Sequence, residues 1–355
     1  MRSHLPLLFL ILIAYCAYPT RANAQDPRFS QFYKAPVQLN PALSGVFNGR
    51  LRVHGNYRAL YASLLQDNAF QTYAIGVDMR FRPNRQDAAS ANFTMMTDRS
   101  GANGFSRTFG AAGGSYLKLL RKGAYNAADH YLVAGVQAGF GQYRIDNQDL
   151  WFSNQYDGQN LEIDFDRDSG EPIGAFSGEP FLEVHAGLLY YLVGEDRSSL
   201  FIGGALHHLN QPQISFFDDA PAEPLSMRWT VHSGGEFATS RHLSFLPGAA
   251  FMQQGPANSL TAGFNARYSN WGRWELALRA GPWVHFSNQL DQGMQLDAVI
   301  IAVVFELQRW NFGISYDMTA SQLGRANYAR GALEFSATWF MDKDWGKYKV
   351  RCPEY

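Results

Sequence analysis

The chain has 355 residues and a mass of 39.8 kDa, with 46% hydrophobic, 17% charged and 15% aromatic residues. Charge this scarce beside aromatics this frequent excludes a disordered chain, and a formal net charge of −1 removes the electrostatic basis for binding nucleic acid. With 33 Gly, 18 Tyr, 26 Phe and 8 Trp the composition points to one large aromatic-rich β structure, and its two cysteines, Cys16 and Cys352, are too far apart for a CxxC zinc site.

Residues 1–24 read as a signal peptide. Arg2 precedes the apolar run Leu5 to Ala17, and Ala22-Asn23-Ala24 puts small residues at the two positions a signal peptidase reads before Gln25. The run is shorter than the roughly 20 residues a membrane-spanning helix needs, and Tyr15 occupies the place where a lipoprotein would have a small residue before Cys16. Cleavage would leave 28 basic residues (30 less Arg2 and Arg21) against 31 acidic, a charge of −3, with Cys352 as the sole thiol.

Residues 25–49 come next, at or in the periplasmic mouth of the strand-rich region that begins at residue 50. Gln25 to Gly45, QDPRFSQFYKAPVQLNPALSG, is too broken by Pro27, Pro36 and Pro41 for a helix and lacks strand alternation. Phe29, Phe32, Tyr33 and Leu39 make it too apolar for a free tail. Two roles fit: a lid packed in the mouth, or a partner-binding peptide. In the second role Phe29, Phe32 and Tyr33 are the anchors, and Asn40, Pro41 and Gly45 are the turn positions that set its path.

From residue 50 to 341 the signal has period two. Tyr73, Ile75, Val77, Met79 and Phe81 alternate with small or charged residues, and so do Leu260 to Tyr268, Trp274 to Leu278, Trp310 to Tyr316 and Leu333 to Trp339. Strands are predicted at 50–58, 69–82, 88–97, 104–118, 130–141, 180–193, 198–209, 226–238, 241–253, 258–269, 273–286, 296–308, 310–318 and 331–341. Soluble sandwiches alternate too, but most of these strands reach the roughly 9 to 11 residues that cross a bilayer. The mature chain's longest wholly apolar run, Ala298 to Phe305, excludes membrane-spanning helices.

The connections sort by side. Pro83 to Asp87, Gly194 to Arg197, Thr239-Ser240, Asn270 to Gly272 and Gln308 to Trp310 are short and fall on one end. Gln142 to Glu179, Asn210 to Leu225, Ser287 to Gln295 and Thr319 to Arg330 fall on the other. The fold class expected is therefore all-β: a single outer-membrane barrel of about 14 antiparallel strands. It is wider than an eight-stranded barrel filled by its own side chains and narrower than a porin. Ala298 to Phe305 is apolar on both faces, so the wall there should touch protein inside. Gly113-Gly114, Gly203-Gly204 and Gly234-Gly235 would relieve crowding in a curved wall.

Chemistry signals are weak. Asp164, Asp166, Asp168 and Gly170 imitate the start of a calcium loop, but Ser169 and Ala175 stand where its Gly and Glu belong. Adjacent strand residues His207 and His208 should face opposite ways and so not share a metal. There is no GxSxG elbow and no HExxH pair. No enzyme activity, metal or cofactor is expected, and Cys352 in the tail 342–355 reads as an exposed inert thiol. Residues 142–179 carry nine acids against Arg144 and Arg167, whereas 25–58 carry Asp26 against Arg28, Lys34, Arg50, Arg52 and Arg58, so the two ends should attract different partners.

The opening box Gln25 to Gly45, with RLRVHGNYRALY (Arg50 to Tyr61) after it, resembles the start of the PorP/SprF family, outer-membrane proteins of the Bacteroidetes type IX secretion and gliding machinery. Phe312 to Phe340, FGISYDMTASQLGRANYARGALEFSATWF, with Cys352-Pro353 behind it, resembles that family's close. Between them only strand pattern matches. The resemblance implies a component set in outer-membrane lipid that anchors periplasmic type IX components or a secreted, adhesin-like surface cargo. A passive porin or plugged transporter for hydrophobic or small solutes is the alternative.

Overall fold

In the computed structural model the described residues are 26–82, 86–101, 104–123, 128–146, 151–170, 175–194, 198–215, 223–270, 276–289, 293–341 and 352. The wall strands are β1 (Leu51–Leu60), β2 (Phe70–Phe81), β3 (Ala88–Ser100), β4 (Phe105–Arg121), β5 (Asp129–Asp146), β6 (Phe181–Val193) and β7 (Ser199–His207). They continue as β8 (Arg228–Ala238), β9 (Leu243–Gln254), β10 (Ala257–Asn270), β11 (Leu276–Gln289), β12 (Gly293–Glu306), β13 (Trp310–Thr319) and β14 (Arg330–Met341). Each pairs antiparallel with its sequence neighbours, and β1 also pairs with β14, Leu51 opposite Met341 through Leu60 opposite Ala332. The sheet is thus a closed fourteen-stranded barrel. Closure leaves no strand edge unpaired, the condition for a sheet to stand in lipid.

Its polarity is inside-out. Along β5 the inward Tyr131, Val133 and Gln137 are buried, while the outward Val136 and Phe140 are 62% and 63% exposed. Outward positions elsewhere repeat this with Phe93, Leu188, Ile202, Val231, Ile301 and Phe305, whereas Arg52, Asp78, Arg80, Glu183 and Glu334 are buried in the lumen. Apolar side chains outside and charges inside suit acyl chains around the wall. Among the described residues no helix is long and apolar enough to cross a membrane.

The strand ends that bound the long connections 61–69, 147–180, 208–227 and 320–329 are all at one end, and those that bound 194–198, 239–242 and 307–309 are at the other. Strands run further than expected at the long end: β5 continues to Asp146, and β11 and β12 leave only 290–292 between them. Of the expected short turns, residues 83–85, 195–197 and 271–272 lie outside the described residues, as do 273–275 of an expected strand and most of 342–355.

Residues 26–49 extend beyond a mouth: they fill the lumen from end to end. Asp26 meets Arg107, His208 and Arg228, all at the long-connection end. Asn40 reaches the middle of β6 and β7, at Leu188 and Gly204. Gly45 reaches Asp78 near the end of β2, and Arg50 N donates to Met341 O (3.0 Å) at the short-turn end. The segment is not wholly without helix: single helical turns at Phe32–Lys34, Pro36–Leu39 and Pro41–Leu43 carry the descent, with Pro36 and Pro41 at helix starts, where proline is tolerated. The inward side of β12, Ile300, Ala302 and Val304, packs in one cluster with Phe32, Tyr33 and Trp283, which is why that run is apolar on both faces.

Candidate functional site

The lumen segment and the wall that grips it form the candidate site. At mid-height Phe32 and Tyr33 close on Trp283 of β11, with ring centroids 5.5 and 5.3 Å away. Phe29 packs with Ala35, Ala74 and Met96. All three anchor candidates are thus buried inside the barrel rather than offered to a partner from a free peptide.

Asn40 and Pro41 sit on a patch of wall floored by glycine. Asn40 Nδ2 donates to the carbonyls of Leu188 (3.1 Å) and Gly204 (3.2 Å), while its Oδ1 accepts Ala42 N (2.8 Å). A methyl group on Gly135 would lie 2.5 Å from Ala42 N, and one on Gly187 would collide with the Asn40 amide. Gly203 abuts the same side chain, so one of the three glycine pairs read as relief of curvature also makes room for the segment. Gly45 takes φ +72 with its N–H on Asp78 Oδ2 (2.7 Å), and a Cβ there would meet Ser90 at 2.7 Å. Asp78 in turn holds Arg52 through Nε and Nη2, both 2.9 Å, in the paired geometry that suits guanidinium and carboxylate.

Two ionic clusters tie the upper half. In the first, Glu334 accepts Ser30 N (2.7 Å) and Gln31 N (2.9 Å), and Asp317 binds Ser30 Oγ (2.6 Å) and Arg58 Nη2 (3.0 Å). In the second, Asp26 is enclosed by Arg107, Arg228 (2.9 Å) and His208 Nε2 (2.7 Å), and Arg107 also reaches Glu183 (2.6 Å). Burial alone would raise the Asp26 carboxyl, but Arg107, His208 and Arg228 outweigh it and hold it well below the usual carboxylate range. For His208 burial works against protonation, yet Asp26 and Glu183 prevail and raise the imidazole above its ordinary value.

His207 and His208 do not face opposite ways. His208 lies just past the end of β7 with φ +56, a left-handed turn that returns its ring to the lumen beside His207, and both are buried. Glu183 Oε2 then lies 3.4 Å from His185 Nε2 and 3.2 Å from His208 Nδ1, a set of donors that could hold a cation. The protonation states favour a different use. His185 Nδ1 accepts His208 N–H (3.2 Å), which puts the ring proton on Nε2, and both nitrogens of His208 face carboxylates, as an imidazolium requires. Arg107 and Arg228 already balance the two acids. The cluster is therefore read as a proton-held ionic tie.

Other candidates resolve simply. Asp164 and Asp168 accept the N–H groups of Asp166 and Gly170 (both 3.1 Å), so they shape an exposed turn. Cys352 is not exposed: it is buried, with its sulfur 3.0 Å from Arg80 Nη1. Among the described residues, two cavities beside the segment hold about 50 Å³ each, room for a few waters and far below the roughly 300 Å³ of a small-molecule pocket.

Comparison with known proteins gives one strong match. The family model described as type IX secretion system membrane protein PorP/SprF covers residues 21–339. Among solved structures the chain is similar to a TodX deltaS2S3 mutant monoaromatic hydrocarbon channel, at 9% identity and TM-score 0.48 over 86% of this chain and 93% of that one. It is also similar to the Ralstonia pickettii toluene transporter TbuX, at 11% identity and TM-score 0.44 over 86% and 91%. A bacterial polysaccharide outer membrane secretin gives 11% identity and TM-score 0.37 over 83% and 99%. No curated protein matches.

Proposed function

The chain belongs to the PorP/SprF family of type IX secretion system membrane proteins, and from that premise we propose that this outer-membrane barrel serves as a static anchor for the machinery, without catalysis. Its partners on this reading are periplasmic type IX components or a secreted, adhesin-like cargo. The observation that carries the reading is the occupied lumen. A conduit needs a path, whereas residues 26–49 occupy the barrel from one end to the other through hydrogen bonds and ion pairs at each level. Phe29, Phe32, Tyr33, Asn40, Pro41 and Gly45 support anchoring indirectly on this view, by making the barrel a rigid body whose two rims can be held.

The test is deletion of the gene and then two assays on the same cells. Cargo bearing type IX C-terminal domains should fail to reach the surface while uptake of small hydrophobic solutes is unchanged. A tagged full-length barrel should also retain periplasmic machinery or cargo on purification. Normal secretion with altered uptake would overturn the anchor reading in favour of a transporter.

A further inference from the structure

The route of the lumen segment sets where the chain begins. Strand β1 starts at the short-turn end, so a segment that merely covered that mouth would leave its own start there. Instead the chain from Arg50 back to Asp26 climbs the whole lumen. Arg52 holds Leu43 and Asp78 holds Gly45 near the short turns, His232 and Gly204 hold Asn40 at mid-height, and Glu334 holds Ser30 and Gln31 above that. Asp26 ends the climb among Arg107 at the start of β4, Arg228 at the start of β8 and His208 just past the end of β7, with its own N–H on Gln254 Oε1 (2.8 Å) at the end of β9. All four positions border long-end connections. The Asp26 carboxylate is nearly closed off from solvent, and the cavities among the described residues beside the segment below it hold about 50 Å³ each, too little for the chain to turn back down.

We propose that the processed amino terminus of this protein emerges at the long-connection mouth and is displayed at the cell surface, within reach of a surface-side partner. The new end arises when water adds across the Ala24–Gln25 peptide bond, leaving a carboxylate on Ala24 and an ammonium on Gln25. The barrel then sets that ammonium on the side of the membrane opposite to the one where strand β1 begins. The proposal rests on the long connections lying outside, as in other outer-membrane barrels, and not on which partner is anchored.

The experiment places one short epitope per chain, in full-length protein expressed in its own cells, between Gln25 and Asp26, after Gly158 in the long connection between β5 and β6, or after Ser240 in a short turn. The first two should bind antibody on intact cells and the third only after the outer membrane is permeabilised. If the Gly158 epitope is bound on intact cells and the amino-terminal one only after permeabilisation, the proposal is overturned while the orientation stands. If the Ser240 epitope alone is bound on intact cells, the orientation and the proposal both fail. Insertion is checked by heat-modifiable gel mobility, and a second chain carries the epitope one residue earlier, after Ala24. If neither amino-terminal insertion yields a folded barrel while the other two do, the mouth does not admit a chain leading into Asp26, and the proposal is overturned.

Discussion

Asp26 and His208 make the clearest single-residue cases. Asp26→Asn would remove an anion that three cationic groups share, and breaking a buried ion pair costs about 3 to 5 kcal/mol because the remaining charges are left uncompensated. The barrel should still insert, with the temperature of its heat-modifiable shift clearly lowered. The pH dependence has two limbs. His208 has its value raised above the ordinary 6.5, so its contribution is full below about 6.5 and is lost as pH rises through the folded value. Asp26 has its value lowered below 3.8, so its contribution is full above about 3.8 and is lost as pH falls through the folded value. Resistance of the lumen segment to protease should therefore hold between these limits and weaken above the upper one, and His208→Gln should flatten that upper limb. A segment equally resistant at pH 6 and pH 9 would refute the ionic tie. None of this was legible in the sequence, because Asp26 and His208 stand 182 residues apart and the left-handed turn at His208 breaks the alternation rule at the residue where it mattered.

At the scale of elements, the glycine-floored patch under Asn40 makes a sharper prediction than any aromatic contact. Gly187→Val should push out the Asn40–Ala42 turn and, with it, loosen the segment, raising conductance in planar bilayers; Gly158→Ala, whose added carbon would touch nothing, should be silent. On the outer face of β12, Ile301→Lys should cost about 2 to 4 kcal/mol of insertion, whereas Leu161→Lys in an exposed connection should change little. Reconstitution yield into vesicles would separate the two. The strands themselves were readable to within a few residues because lipid outside and a polar interior impose a strict two-residue rhythm. The glycines were not, since only the bound segment reveals what a Cβ would strike. The lumen segment has no rhythm to read; its path is set by bonds such as Gln31 to Glu334, made across 303 residues.

As a whole molecule the barrel is a wall organised around an internal strut. Replacing Phe29, Phe32 and Tyr33 together by Ala should leave the wall strands formed, because none of the three belongs to them, yet each Phe→Ala change alone removes about 3 to 5 kcal/mol of core packing. The expected result is an inserted barrel that conducts ions in a planar bilayer more readily than the parent protein does. A triple variant as closed as the parent would mean that the polar ties alone keep the strut in place. Export, parity and loop rhythm made the closed barrel legible from sequence, and the apolar run Ala298 to Phe305 correctly implied protein inside. That the protein inside would be residues 26–49 running the full height was beyond the period-two signal.

The line along which β1 meets β14 joins the two ends of the chain, and a wall that opened sideways into the bilayer would part there. The strut touches both banks of that line. Arg52 of β1 binds Leu43 O and Arg58 of β1 binds Arg28 O, while Glu334 and Ser336 of β14 bind Ser30 and Gln31. Parting β1 from β14 would thus strip the strut from one bank as well as breaking the ladder. The segment acts as an inner suture, and cargo that must enter the membrane laterally cannot do so through this wall until the suture has been drawn out.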